Sequence, residues 1–198
     1  MLNQKKLYSS LIALLLTVTM GTPVFAAPEV QRSVEDYKTP DVTLIDQNGD
    51  KVSFAALVNQ DRPVLLDFIY ATCTTICPIL SAGYAQLQRK LGDNSDDVQL
   101  ISISIDPEYD QPHVMKEYLE RYQAKAGWRY LTGTREDINS VMYGFDAYVS
   151  NKMSHYPLKL IKVPGKDQWV RLYGLVGTKK LIDEIEQLYG PLQLKDKK

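Results

Sequence analysis

The only cysteines in the chain, Cys73 and Cys77, stand in the segment Cys73-Thr-Thr-Ile-Cys77-Pro78. A cysteine does chemistry as its thiolate, which attacks disulfides and binds soft metal ions. Three residues separate the pair, one more than in the common two-residue redox spacing. If the segment is helical, positions four apart share one face; if it is a loop, the extra residue widens the bite. Either arrangement lets two sulfurs converge on one ion or join as a disulfide. A structural disulfide closing so short a loop would add little stability. Inert packing is a third reading, although Thr74 and Thr75 mark the segment as exposed.

The chain holds two histidines. His155, in SNKMSHYPLKL, stands just before an apolar run. Beside two thiolates its imidazole would complete a three-coordinate copper site, since thiolate favours Cu(I) and imidazole also suits Cu(II). A tetrahedral zinc site needs a fourth ligand, and none is evident. Read alone, a lone histidine is more often a surface or capping residue. His113, beside Pro112, reads as an exposed helix residue. Met153 is a loop or packing residue that could lend a thioether. Asp106, before Pro107, either turns the chain or hydrogen-bonds near the site, because ligand sites of α/β sheets lie beyond the carboxyl ends of strands.

These side chains need elements to position them. Pro63 to Tyr70, PVLLDFIY, is a nearly continuous apolar run that suits a strand buried on both faces. It leads directly into the cysteines. Ile79, Leu80, Tyr84, Leu87 and Leu91 then recur at helical spacing until Gly92. The cysteine pair therefore lies at a strand-to-helix junction, where the partial positive charge and free amides of a helix N-terminus stabilise a thiolate. Pro78 suits the first turn of that helix. Val98 to Ile105 is a second buried strand. A helix over Pro112–Lys125 follows, then a strand over Trp128–Leu131 and a helix capped by Thr134 that runs to Tyr148. Leu158–Val163 and Trp169–Tyr173 form a closing hairpin, and Thr178–Tyr189 is the last helix. Ahead of the cysteines, Asn48-Gly49 turns a hairpin that begins at Val42–Ile45, followed by a helical turn over Phe54–Val58. Residues 27–40 read as a leader without apolar period, and residues 191–198 as a polar, basic tail.

Strands alternating with helices predict an α/β domain over residues 41–190 with a mixed central sheet flanked by helices and an N-terminal β-hairpin extension. A buried strand that feeds a cysteine pair at a helix start is the thioredoxin-like arrangement.

The 198 residues include 23 Lys plus Arg and 24 Asp plus Glu, a formal net charge of −1. This balance argues against a nucleic-acid binder. The length suits one domain with a sizeable core. Residues 1–26 have the pattern of a secretory signal peptide: Lys5 and Lys6, an apolar run from Leu11 to Met20 too short to span a bilayer comfortably, and small Val24 and Ala26 before cleavage. Left uncleaved, the segment would act as an N-terminal anchor. An exported cysteine pair meets oxidising conditions, and the form of the signal points to a periplasm.

Together, LLDFIY leading into CTTICP, SISIDPEYDQP, the W-x-x-L-T-G run from Trp128 to Gly133 and a single histidine before the late strands resemble the Sco/SenC family of copper-binding, thioredoxin-like proteins. The resemblance covers most of residues 40–190. It implies one copper ion held by the thiolates of Cys73 and Cys77 and the imidazole of His155. It also implies a partner, the copper-site subunit of cytochrome c oxidase or another copper or thiol protein, which receives copper or has its thiols kept reduced. The competing expectation is a thiol–disulfide oxidoreductase that uses Cys73 and Cys77 without metal, with Cys73 as attacking thiol. Pro157 bears on this choice. It stands about where thioredoxins place a cis-proline beside their thiols, and a cis Tyr156–Pro157 bond would favour the exchange reaction.

Overall fold

The computed structural model describes residues 30–195. The segment 1–26, read from the sequence as a signal peptide, lies outside the described residues. Eight strands form one sheet: β1 (Gln31–Asp36), β2 (Thr43–Asp46), β3 (Lys51–Ser53), β4 (Val64–Ile69), β5 (Gln99–Ser104), β6 (Trp128–Thr132), β7 (Leu158–Lys162) and β8 (Gln168–Tyr173). Their spatial order is β1-β8-β7-β4-β5-β6-β2-β3. β4, β5 and β6 run parallel, and every other neighbouring pair is antiparallel. Among the described residues the α-helices are α1 (Phe54–Val58), α2 (Cys77–Leu91), α3 (Pro112–Arg121), α4 (Arg135–Gly144) and α5 (Thr178–Tyr189).

The two largely apolar runs form the centre of the sheet. Every residue of β4 and β5 is buried, as central strands covered on both faces require. The Asn48-Gly49 turn forms as expected, with Gly49 at φ +86° supplying the left-handed conformation that side chains resist. β2 pairs with β6, so this hairpin continues the main sheet at one edge.

The structure corrects four expectations. Within the expected leader 27–40, residues 31–36 form β1 and pair along their whole length with β8. Their alternating partial burial, in a polar sequence, is that of an edge strand with one face in water. α3 stops at Arg121 instead of Lys125. There the chain turns through Gln123 at φ +54°, and the Ala124 amide bonds back to the Leu119 carbonyl. α4 ends at Gly144 instead of Tyr148. A Cβ at Gly144 would meet the Pro40 ring at 2.8 Å, so the close approach of the N-terminal segment needs glycine there. Phe145 then turns inward into the core against Trp169. Finally, among the described residues every peptide bond is trans, Tyr156–Pro157 included. The tail read over 191–198 is held in its described part: the Lys195 amide bonds to the Lys90 carbonyl, and Leu192 packs on the core.

Candidate metal centre

Two segments at the same end of the sheet build the site. The first joins β4 to α2. Its start is fixed from beneath by Asp110, whose two carboxylate oxygens accept from the Ala71 amide at 3.2 Å. Asp110 is itself buried and accepts from the Ser104 hydroxyl at 2.6 Å and the Tyr130 hydroxyl at 2.7 Å. Burial raises the Asp110 carboxyl above its ordinary range, and these hydrogen bonds work against the rise. A turn closed by the Cys73 amide on the Tyr70 carbonyl then brings Cys73 back over the start of α2.

Neither Ile76 nor any other side chain caps α2 in the usual way. Instead the Cys73 sulfur accepts from the Cys77 amide at 3.4 Å. The first cysteine thus occupies the place of a helix-capping oxygen, and an anionic sulfur there is favoured by the free amides and the helix dipole.

The second segment, 151–155, carries the histidine. Asn151 Oδ1 accepts from the Met153 amide, closing a short 3-10 turn over Lys152–Ser154. Lys152 Nζ reaches the Asp106 carboxylate at 2.5 Å and so ties this turn to the end of β5. Asp106 therefore fills both of its expected roles. Its carbonyl accepts from the Tyr109 and Asp110 amides to turn the chain, and its side chain anchors the histidine loop.

The imidazole is oriented by one backbone contact. His155 Nδ1 lies 2.8 Å from the Lys152 carbonyl, which can only accept, so Nδ1 carries the hydrogen. Nε2 is then left with its lone pair and lies 3.1 Å from Cys77 Sγ. Burial lowers the pKa of His155, opposed by the Lys152 contact, which favours the neutral ring with that lone pair free. Tyr70 packs edge-on against the ring at 5.2 Å between centroids.

The two thiols differ sharply. Cys77 is fully buried and Cys73 is 6% exposed. Burial would raise Cys73, but hydrogen bonds from Cys77 and Thr75 outweigh it and bring its pKa down to about 7. Burial pushes the Cys77 thiol far up, and its hydrogen bond to Cys73 pushes it further. Cys77 thus keeps its proton, and that one proton faces two acceptors, the Cys73 sulfur and His155 Nε2. Both cysteines are unbridged. The exposure expected from Thr74 and Thr75 holds for those threonines but not for the sulfurs between and beside them.

Cys73 Sγ, Cys77 Sγ and a His155 ring nitrogen all lie within 4.8 Å of one another. Two donors on one ion, each at about 2.0–2.3 Å, stand at most about 4.6 Å apart, so this donor set fits a single ion with little movement. Two sulfurs and one imidazole form a soft set, suited to copper or zinc rather than magnesium or calcium. His113 is exposed on α3 and takes no part. A polar cleft of about 410 Å³ opens beside the Asp106 and Lys152 side chains, but neither cysteine nor His155 lines it. The two sulfurs are buried and the imidazole between them and the surface is half-buried.

The model of the SCO1/SenC family matches residues 31–163, from β1 through the histidine loop and β7. The chain belongs to the SCO1/SenC family. A SCO1 protein homolog of Bacillus subtilis is 37% identical over 99 residues, which are 50% of this chain and 50% of that protein. The chain thus spans about half the length of that relative. The solved structure of BsSco, described with a disulfide switch and as one of the cytochrome c oxidase assembly proteins, is 27% identical with a TM-score of 0.65. The match covers 78% of this chain and 94% of that one. Bradyrhizobium japonicum ScoI, solved with copper bound, is 27% identical with a TM-score of 0.61, covering 74% and 96% of the two chains. The thioredoxin-like α/β fold is that of these Sco structures.

Sequence reasoning missed Asp110 and Tyr70. Asp110 lies inside SISIDPEYDQP, directly before the Gln111-Pro112 start of α3. An acid there, at the end of a buried strand, was the available signal. Tyr70 closes the apolar run of β4 and gave none.

Proposed function

We propose that the protein is an exported, periplasmic copper carrier that holds one copper ion through Cys73, Cys77 and His155. It passes the ion to the copper site of cytochrome c oxidase or keeps that site's thiols reduced. The convergence of two sulfurs and an unprotonated imidazole nitrogen within 4.8 Å carries this reading. The copper-bound ScoI and the description of BsSco as an oxidase assembly protein support it. Export rests on the signal-like residues 1–26; among the described residues no helix is long and apolar enough to cross a membrane.

Each part of the site has a task in such a carrier. Cys73, already poised as thiolate near neutral pH, makes the first contact. Cys77 gives up its proton as the ion takes the proton's place between sulfur and imidazole, so loading releases protons. Three protein donors leave a coordination position open toward solvent, through which a partner's ligands can enter before these leave. Oxidation to a Cys73–Cys77 disulfide removes two electrons and two protons and abolishes the site, so a thiol reductant must act before loading.

The reduced full chain is expected to bind one equivalent of copper. Cys73→Ala and His155→Ala should each weaken binding by at least tenfold. Unchanged stoichiometry and affinity in Cys73→Ala would remove the proposal. The split between the thiols also suits a thiol–disulfide oxidoreductase, in which the activated Cys73 attacks and Cys77 resolves. A disulfide-reduction assay on His155→Ala separates the two: full reductase activity, with no copper uptake by the wild type, selects the enzyme.

A further inference from the structure

Met153 is 71% exposed, whereas Met115 and Met142 are buried in the core. Its sulfur is nevertheless held, accepting from the Tyr70 hydroxyl at 3.2 Å. Tyr70 is itself buried and packs its ring edge against His155. The thioether and the imidazole therefore flank the same phenol. They also belong to one short turn, whose two anchors are the Asn151 side chain on the Met153 amide and Lys152 on Asp106.

We propose that Met153 is a movable third sulfur ligand for copper, parked on the Tyr70 hydroxyl at the rim of the Cys73, Cys77 and His155 site. This rests on the copper-carrier reading. The side chain has three rotatable bonds and little packing to lose. A thioether is a weak acceptor, so its bond to the phenol is easily exchanged. It is soft and neutral, and it titrates over no ordinary pH. Such a donor favours Cu(I) over Cu(II), which prefers nitrogen and oxygen. Closing over the open position of a three-donor site, Met153 would retain Cu(I) against solvent. A partner's ligand could displace it more readily than either thiolate. Met153 thus biases a site that its two thiolates already tune toward Cu(I) further in that direction.

The test uses the reduced full chain with carbon-13 methyl-labelled methionine and one equivalent of Cu(I) without oxygen. The Met153 methyl resonance should shift on loading while those of Met115 and Met142 stay in place. X-ray absorption should count three sulfurs on copper in the wild type and two in Met153→Leu. In competition with a Cu(I) chelator, Met153→Leu should bind about tenfold more weakly, with Cu(II) affinity unchanged. Equal sulfur counts in the two proteins overturn the proposal, even if affinity falls, because a packing effect on the His155 turn would do that alone. Failure of the copper reading looks different: Cys73→Ala would then hold copper as the wild type does.

Discussion

Asp67 on β4 and Lys159 on β7 stand opposite each other in the sheet register. The same two strands run on to Cys73 and back to His155, so neighbouring stretches of chain supply both a charge pair and a donor set. Their surroundings differ completely. Asp67 and Lys159 are fully buried and closed on themselves: Lys159 Nζ is 2.9 Å from Asp67 Oδ2, and Ser102 donates to Oδ1 at 2.8 Å. Lys159 Nζ also reaches the Leu80 carbonyl and sits 3.6 Å above the Tyr84 ring. Both carboxylate oxygens of Asp67 and the Lys159 ammonium have partners. Burial lowers the pKa of Lys159, and the adjacent carboxylate holds it up. The cysteine and histidine site is the reverse, with burial that decreases from Cys77 outward and one thiol proton between two acceptors. A closed network fixes the backbone, and an unsaturated one at its end is free to take a ligand.

Breaking the closed member should have the largest effect on the molecule. Lys159→Ala leaves a buried, unpaired carboxylate and should destabilise the fold by about 3–5 kcal/mol. In a domain of this size that is a fall in Tm on the order of 10 °C. Replacing both residues, Asp67→Leu with Lys159→Met, should recover much of the loss, because neither charge then needs solvation. Thermal and urea unfolding of the two variants measure this. A loss below about 1 kcal/mol in Lys159→Ala would mean that water reaches the pair and that the contrast with the site is not one of closure. His155→Ala, at the open member, removes a half-buried ring and should cost less, about 1 kcal/mol.

The same contrast sets what could be read from sequence. β4 and β5 were legible because a strand covered on both faces must be largely apolar, and that requirement is local. The thiols were legible because residue type, spacing and a strand-to-helix junction coincide within a few positions. His155 was not legible on these grounds. Its contact with Cys77 spans 78 positions and leaves no periodic trace, so residue type made it a candidate and only the family resemblance made it the expected ligand. Lys159 reads as a polar interruption of LKLIK, although it is as buried as its apolar neighbours. Its reason for being there is Asp67, 92 positions away. β1 escaped for the opposite cause: an edge strand half in water needs no apolar run.

The asymmetry within the open site can be sharpened by titration. Alkylation of the reduced protein by iodoacetamide should modify Cys73 first, with a rate that rises through a midpoint near pH 7, where its pKa stands. Cys77 should stay unmodified until the protein unfolds. The sign of the linkage follows. The folded-state pKa of Cys73 lies below the unfolded value, so its contribution to stability is present in full above the unfolded pKa and disappears as pH falls through about 7. Cys77 is raised, so above the ordinary thiol range the unfolded state releases a proton that the folded state keeps, and stability falls as pH rises. Mapping of the modified cysteine by mass spectrometry decides the assignment. Equal rates at the two thiols would erase the gradient on which the proposed order of ligand entry depends.

The smallest effect belongs to the tie between the histidine turn and the sheet. Lys152 is partly exposed, so its pair with Asp106 is screened, and Lys152→Ala should change stability by about 0–1 kcal/mol. Its consequence should appear at the imidazole instead. The Lys152 carbonyl remains in the variant and still accepts from Nδ1, so the tautomer is retained. What loosens is the position of the turn relative to Cys77. Ligand-orienting contacts of this kind are worth about 10–100-fold in metal affinity when fully buried, and a half-exposed pair belongs at or below the lower end. A loss of a few-fold in copper affinity with unchanged stoichiometry, reversed by Lys152→Arg, would show the ion pair acting through His155. A loss that Lys152→Arg does not restore would shift the role to the compact Lys152 ammonium, which lies 5.3 Å from the Tyr70 ring centroid.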